Sequence, residues 1–196
     1  MTQLLVATRN RGKIKEIKAL LDGLVEEVIC AADLPDLPET VEDGATFAEN
    51  ALKKAREASK ATGLAVLADD SGLVVDGLNG RPGVYSARFA GADATDTANN
   101  LKLLQEIAGL SQPERSAAFV CSMAYVSPDG VERLFEGRVE GTIIDQPRGE
   151  HGFGYDPLFL VNGYQQTMAE LPLGVKNRIS HRGQALQAFK NFLGGA

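Results

Sequence analysis

Five apolar residues, Leu64-Ala65-Val66-Leu67-Ala68, run straight into two adjacent aspartates and a serine–glycine pair, Asp69-Asp70-Ser71-Gly72. The apolar run reads as a short buried strand. Two carboxylates behind such a strand are costly unless a cation or hydrogen bonds compensate them. Neighbouring side chains on a strand point to opposite faces, so the two acids are expected to have different partners and different roles. Ligands of open α/β sheets gather at the carboxyl ends of strands, which makes this the first place to look for a site. The competing reading is a turn rich in Asx residues.

The surrounding pattern fits a sheet flanked by helices. Gln3 to Ala7 reads as a buried strand, and Ile14, Ile17, Leu20 and Leu21 follow at helical spacing. Residues 33 to 45, with Pro35, Pro38 and many acids, read as loop. Thr46-Phe47-Ala48-Glu49 matches a capping box and opens a helix whose apolar face is Ala48, Ala51, Leu52, Ala55 and Ala58, ended by Thr62-Gly63. A further helix is expected over Thr97 to Ala108, with Leu101, Leu104, Ile107 and Ala108 as its stripe. Ala117–Val126 and Val131–Thr142 flank the turn signal Ser127-Pro128-Asp129-Gly130 and predict an antiparallel hairpin. A last helix is expected over about Gly183 to Leu193. Alternating elements early and a hairpin late predict an α/β fold with a mixed sheet.

Composition narrows the partners. The net charge of −6 argues against broad binding to nucleic acid or to an anionic membrane surface. Cys30 and Cys121 have no metal-type spacing and read as reduced core residues of a cytosolic protein. No charged leader or long apolar span is visible, so neither export nor a membrane span is expected.

Four more segments could carry chemistry. Thr8-Arg9-Asn10-Arg11-Gly12-Lys13 leaves a strand and enters a helix, where free N–H groups and the positive helix end favour an anion. Its glycine spacing is not that of a P-loop. The acidic loop Glu39, Glu42, Asp43 offers hard oxygens of the kind that hold Mg²⁺ together with substrate phosphates. Of Lys53 and Lys54 in the following helix, spacing lets only one share that side. Gly152-Phe153-Gly154-Tyr155-Asp156-Pro157 can lay an aromatic ring against a base and offer a carboxylate to its N–H groups. Lys176-Asn177-Arg178-Ile179-Ser180-His181-Arg182 supplies donors able to read a purine carbonyl; a capped helix start at Ser180 is the plainer reading.

Together these segments resemble the inosine/xanthosine triphosphate pyrophosphatase family, nearly end to end. The resemblance is carried by Thr8 to Lys13, Glu42 to Ala55, Leu67 to Leu73, Pro82-Gly83-Val84-Tyr85-Ser86-Ala87-Arg88, Gly152 to Pro157 and Ile179 to Arg182. It implies one two-lobed domain over 1–196, built around a long twisted mixed β-sheet with the active-site cleft between the lobes. It implies a homodimer and one Mg²⁺ per subunit. The implied reaction is hydrolysis of nonstandard purine triphosphates (ITP, dITP, XTP) to the monophosphate and pyrophosphate, which keeps them out of DNA and RNA.

By position, the resemblance assigns the triphosphate to Thr8, Arg9, Asn10, Arg11, Gly12 and Lys13, and Mg²⁺ to Glu42 and Asp70. Asp70 is also the implied proton acceptor, with Lys54 and Arg88 supporting phosphate charge. Ser71, Phe153, Gly154, Tyr155, Asp156, Lys176, His181 and Arg182 would hold the nucleotide, the last group around the base. Where the family often has Glu-Thr-Gly, this chain has Glu42-Asp43-Gly44, so Asp43 is a competing ligand. Asp70 could act as a direct base or as a ligand that positions a metal-bound water, and Asp69 could share its role. A relative acting on modified pyrimidine triphosphates is the alternative; it would not need the two base-reading segments.

Overall fold

A computed structural model describes residues 2–194. Its strands are β1 (Gln3–Val6), β2 (Glu27–Cys30), β3 (Val66–Val75), β4 (Ser116–Val126), β5 (Glu132–Ile143) and β6 (Phe159–Val161). The helices are α1 (Arg11–Leu21), α2 (Phe47–Thr62), α3 (Asp96–Ile107), α4 (Leu173–Ile179) and α5 (His181–Gly194). The strands form one mixed sheet in the order β2-β1-β3-β4-β5-β6. β1 runs parallel to both β2 and β3, each reached through a helix, as parallel neighbours require. β5 and β6 are antiparallel. This is the mixed α/β sheet that the sequence pattern predicts.

The chain divides into two compact units. The first comprises residues 1–70, 121–137 and 182–196; the second comprises 71–120 and 138–181. In the first unit the sheet is covered on both faces, and the two-residue period of the strands sorts the side chains. Leu4, Val6 and Leu67 pack with Ile17 and Leu21 of α1 and Leu186 and Phe189 of α5. Their neighbours Leu5, Val66 and Ala68 pack on the opposite face against Ala51, Ala55 and Ala58 of α2. Small residues on α2 let its backbone lie close to the strands. Thr46 and Glu49 cap that helix reciprocally, and Gly63, at φ +70°, closes it in the left-handed conformation that glycine adopts without strain.

The second unit has its own core of Leu73, Val75, Leu103, Ile107, Phe119, Ile143 and Phe159. Here α3 differs from the expected stripe. Leu101 is 57% exposed, and the buried line is Asn99, Leu103 and Ile107. Asn99 enters the core because its amide is satisfied by Ala90 N–H at 2.8 Å and Ala87 carbonyl at 3.1 Å.

Two boundaries moved in ways that bear on function. β3 does not end at Ala68 but continues through both aspartates to Val75. α1 starts at Arg11, so Gly12 and Lys13 belong to its first turn, and only Thr8, Arg9 and Asn10 remain loop. No helix among the described residues is long and apolar enough to cross a membrane.

Candidate active site

Because β3 stays extended through Asp69 and Asp70, the alternation of its core faces carries on into the acids. Asp69 follows Leu67 onto the side of α1 and α5. Lys13 Nζ lies 3.0 Å and Arg182 Nη2 3.3 Å from its Oδ2. Arg182 also pairs closely with Glu16 of α1. Glu16, Asp69 and Arg182 are all buried and Lys13 is half-buried, so four charges of α1, β3 and α5 neutralise one another with little help from water. Burial pushes the Asp69 carboxyl upward, but Lys13, Arg182 and Lys54 together outweigh it and hold the group well below the usual carboxylate range.

Asp70 follows Ala68 onto the side of α2. Its Oδ2 accepts a hydrogen bond from Asn50 Nδ2 at 2.9 Å. Lys54 Nζ lies 2.6 Å from Glu42 Oε1 and donates to the Asp69 carbonyl at 2.5 Å. Burial raises the Asp70 pKa; Lys54, Lys13 and Asn50 oppose that rise, while the Glu42 carboxylate adds to it. Adjacent acids thus differ in ionisation: Asp69 is fixed as an anion, whereas Asp70 is the more easily protonated. Lys54 is disfavoured as a cation by burial, yet Asp69, Asp70 and Glu42 raise its pKa.

The loops hold these groups by specific bonds. Asn10 caps α1, its Oδ1 accepting from Lys13 N–H at 3.1 Å. Arg9 donates to the Leu37 carbonyl at 2.7 Å and so ties the 8–10 loop to the acidic loop. Asn50 Oδ1 accepts from Gly44 N–H at 2.8 Å, while its Nδ2 serves Asp70. A Cβ on Gly44 would stand 2.7 Å from that Oδ1, so glycine is needed for the approach. The structure also separates the two lysines. Lys53 pairs with the exposed Asp43 at 2.6 Å, and Lys54 turns to Glu42 and the aspartates. Thr8 lies in the loop before α1, its Oγ1 accepting from Asn10 N–H at 3.2 Å, and Arg11 is the first residue of α1. Among the described residues no group of three or more His, Cys, Asp and Glu could hold a metal.

The second unit carries the remaining candidates. Lys176 of α4 and Asp156 are buried and paired at 2.6 Å. The same Asp156 oxygen accepts from Phe153 N–H at 3.0 Å, and Lys176 Nζ lies 5.3 Å from the centre of the Phe153 ring. Gly152 sits at φ +82°, and a Cβ there would collide with the Asp156 carboxylate. Tyr155 is buried and donates to the Ser86 carbonyl at 2.8 Å. His181 stacks on Phe119, ring centres 5.0 Å apart. Arg88 lies over the exposed Tyr85 ring at 5.1 Å. Ser71 is the half-buried β3 residue beside Asp70.

Sequence reasoning did not foresee Glu16, Asn50 or Ser86. Glu16 looked like one more polar residue of an amphipathic helix. Asn50 stood inside a capped helix, and its burial (0% exposed), which marks it, is visible only in the fold.

Comparison with known proteins agrees with this arrangement of segments. The pattern of the Ham1 family matches residues 4–192. The chain is 58% identical to a dITP/XTP pyrophosphatase of Geobacter sulfurreducens, over 99% of this chain and 98% of that protein. It is 50% identical to a dITP/XTP pyrophosphatase of Bacillus licheniformis, over 98% of each. The fold matches that of a HAM1 protein from Coxiella burnetii with a TM-score of 0.90 at 42% identity, covering 100% of both chains. Matched from end to end by pattern, sequence and fold, this chain belongs to the Ham1 family.

Proposed function

We propose that this chain hydrolyses nonstandard purine nucleoside triphosphates, dITP, ITP and XTP, to the monophosphate and pyrophosphate. The observation that carries the reading is the split between adjacent aspartates. Asp69 is locked among Lys13, Arg182 and Glu16, while Asp70 is the protonatable carboxylate beside Lys54 and Glu42. Environments that push neighbouring acids apart are how acid–base roles are divided at an active site. The names of the Geobacter and Bacillus relatives supply the substrate class and the bond that is cut.

In this reading Thr8 to Lys13 take the triphosphate, with Lys13 held ready by Asp69. Glu42 and Asp70 fit Mg²⁺: both are hard oxygen donors, and the pKa rise that Glu42 imposes on Asp70 is like-charge repulsion that a divalent cation would relieve. When bound there, one ion per subunit would neutralise charge on the phosphates. Asp70 orients or deprotonates the attacking water. Lys54, a half-buried cation beside Glu42, stabilises charge that develops on the leaving pyrophosphate, and Arg88 adds to that charge support. Ser71, Phe153 to Asp156, Lys176, His181 and Arg182 hold the nucleotide. The five N–H donors of a guanidinium allow Arg182 to serve carboxylates and a base carbonyl together. Asp43, paired with Lys53, is assigned to the surface rather than to the metal.

Residues 1–196 act as one catalytic domain, in a cytoplasmic homodimer that needs no nucleic acid or membrane. Product analysis with dITP and Mg²⁺ tests the chemistry: pyrophosphate and monophosphate are expected, and orthophosphate would refute α–β cleavage. A panel with dATP, dUTP and methylated pyrimidine triphosphates tests the base; dITP turnover no faster than dATP turnover would refute purine selection. Light scattering of the eluting protein tests the dimer.

A further inference from the structure

We infer that Asp96 and Asn100 of α3 are positioning residues for base discrimination, because they fix the two peptides on either side of Gly154. This rests on the assignment of Phe153–Asp156 to the base. Gly152 and Gly154 lie at φ +82° and +61°, in the stretch between the end of β5 and the single helical turn Asp156–Leu158, which has no regular structure. Glycines at such torsions leave a loop many conformations of similar energy. An aromatic ring can discriminate only if the backbone beneath it is held.

α3 supplies the hold. Asp96 Oδ2 accepts from Gly154 N–H at 2.7 Å, and Asn100 Nδ2 donates to Gly154 carbonyl at 2.9 Å. The N–H and the carbonyl belong to different peptide planes, so the pair of bonds restrains both torsions of Gly154. Residues four apart on a helix share one face, which is why one helix can grip both planes. The bond that Gly154 N–H donates to the Asp96 carboxylate is charge-assisted and correspondingly short. Asn100 is a poor residue for a helix interior, and its Oδ1 is buried with no hydrogen-bond partner. Among the described residues, the hydrogen bond of its side chain is the one to Gly154. With Gly154 fixed, the Phe153 ring is held against Lys176, and Asp156 keeps its bond to Phe153 N–H. Neither Asp96 nor Asn100 needs to touch the nucleotide.

The test is steady-state kinetics of Asp96→Ala, Asn100→Ala and Asp96→Asn with dITP, XTP and dATP, beside thermal melts. For the two alanine variants KM for dITP should rise ~10-fold with kcat little changed, and the preference for dITP over dATP should shrink by a similar factor. Asp96→Asn, whose amide oxygen can still accept from Gly154, should recover most of the preference. Folded variants that keep wild-type preference would overturn the inference. So would a uniform fall in kcat for every triphosphate, which marks a merely structural role. If an alanine variant fails to fold, Asn100→Ser keeps a small polar side chain that cannot span to Gly154, and the same ratios decide. A wild-type enzyme with no preference for dITP would instead refute the proposed function, before any variant is read.

Discussion

Replacing each of the adjacent aspartates by asparagine should give opposite phenotypes. Asp69→Asn removes the anion that Lys13 and Arg182 share. The side chains of Asp69 and Arg182 are 1% and 3% exposed, so neither charge is solvated by bulk water. Breaking a buried ion pair by deleting one partner costs about 3–5 kcal/mol. Two features place this case at the lower end. Arg182 keeps Glu16, and Lys13, at 15% exposed, can turn toward water. A loss of about 3 kcal/mol should lower the melting midpoint by roughly 6–12 °C in a chain of this size. Asp70→Asn removes a carboxylate that burial already disfavours. The new amide oxygen can still accept from Asn50, and Lys54 keeps Glu42 and the Asp69 carbonyl. Its stability cost should stay within about 1 kcal/mol, while pyrophosphate release falls by at least ~100-fold. Melts followed by circular dichroism, with pyrophosphate release from dITP on the same preparations, make the comparison. The reasoning fails if Asp69→Asn melts within about 2 °C of the parent, or if Asp70→Asn is the less stable of the two.

Three further outcomes are expected. Gly72→Ala would drive a Cβ into Ser86 Oγ and to 2.6 Å from the Gly83 carbonyl, costing about 1–3 kcal/mol in urea unfolding, because Ser86 is held by its bonds to Gly83 and Leu73. Lys53→Ala breaks only an exposed pair and should change stability by less than about 1 kcal/mol with turnover intact, whereas Lys54→Ala should lower kcat by at least ~100-fold in the same assay. Burial pushes the Cys121 thiol up to about 12, so the folded chain keeps a proton that the unfolded chain releases near its ordinary value. That contribution is complete below the unfolded pKa and is lost as pH rises toward the folded one, and Cys121→Ala should flatten the alkaline fall in melting temperature.

What the sequence revealed of the site depended on how local the information was. The capping box at Thr46 and Glu49 lies within four consecutive residues and formed as expected. The opposed faces of Asp69 and Asp70 follow from strand period alone. The extent of β3 did not: two acids broke the apolar pattern, and the charges that compensate them come from Lys13, Lys54 and Arg182, distant in the chain. β2, with only Cys30 fully buried in Glu27–Cys30, showed too little alternation to be read. α4 has seven residues and a proline before it, too short for a periodic stripe. For the lysine pair, spacing showed only that one would face the acids; the family resemblance favoured Lys54, and the side chains agree, with Lys54 on Glu42 and Lys53 on the exposed Asp43.

The division of the chain has a consequence for its evolution. The backbone passes between the two compact units four times, and three of those passages, at 70/71, 120/121 and 137/138, fall inside β3, β4 and β5. No single break in the gene therefore yields either unit whole, and neither can be transferred to another protein as an interchangeable module.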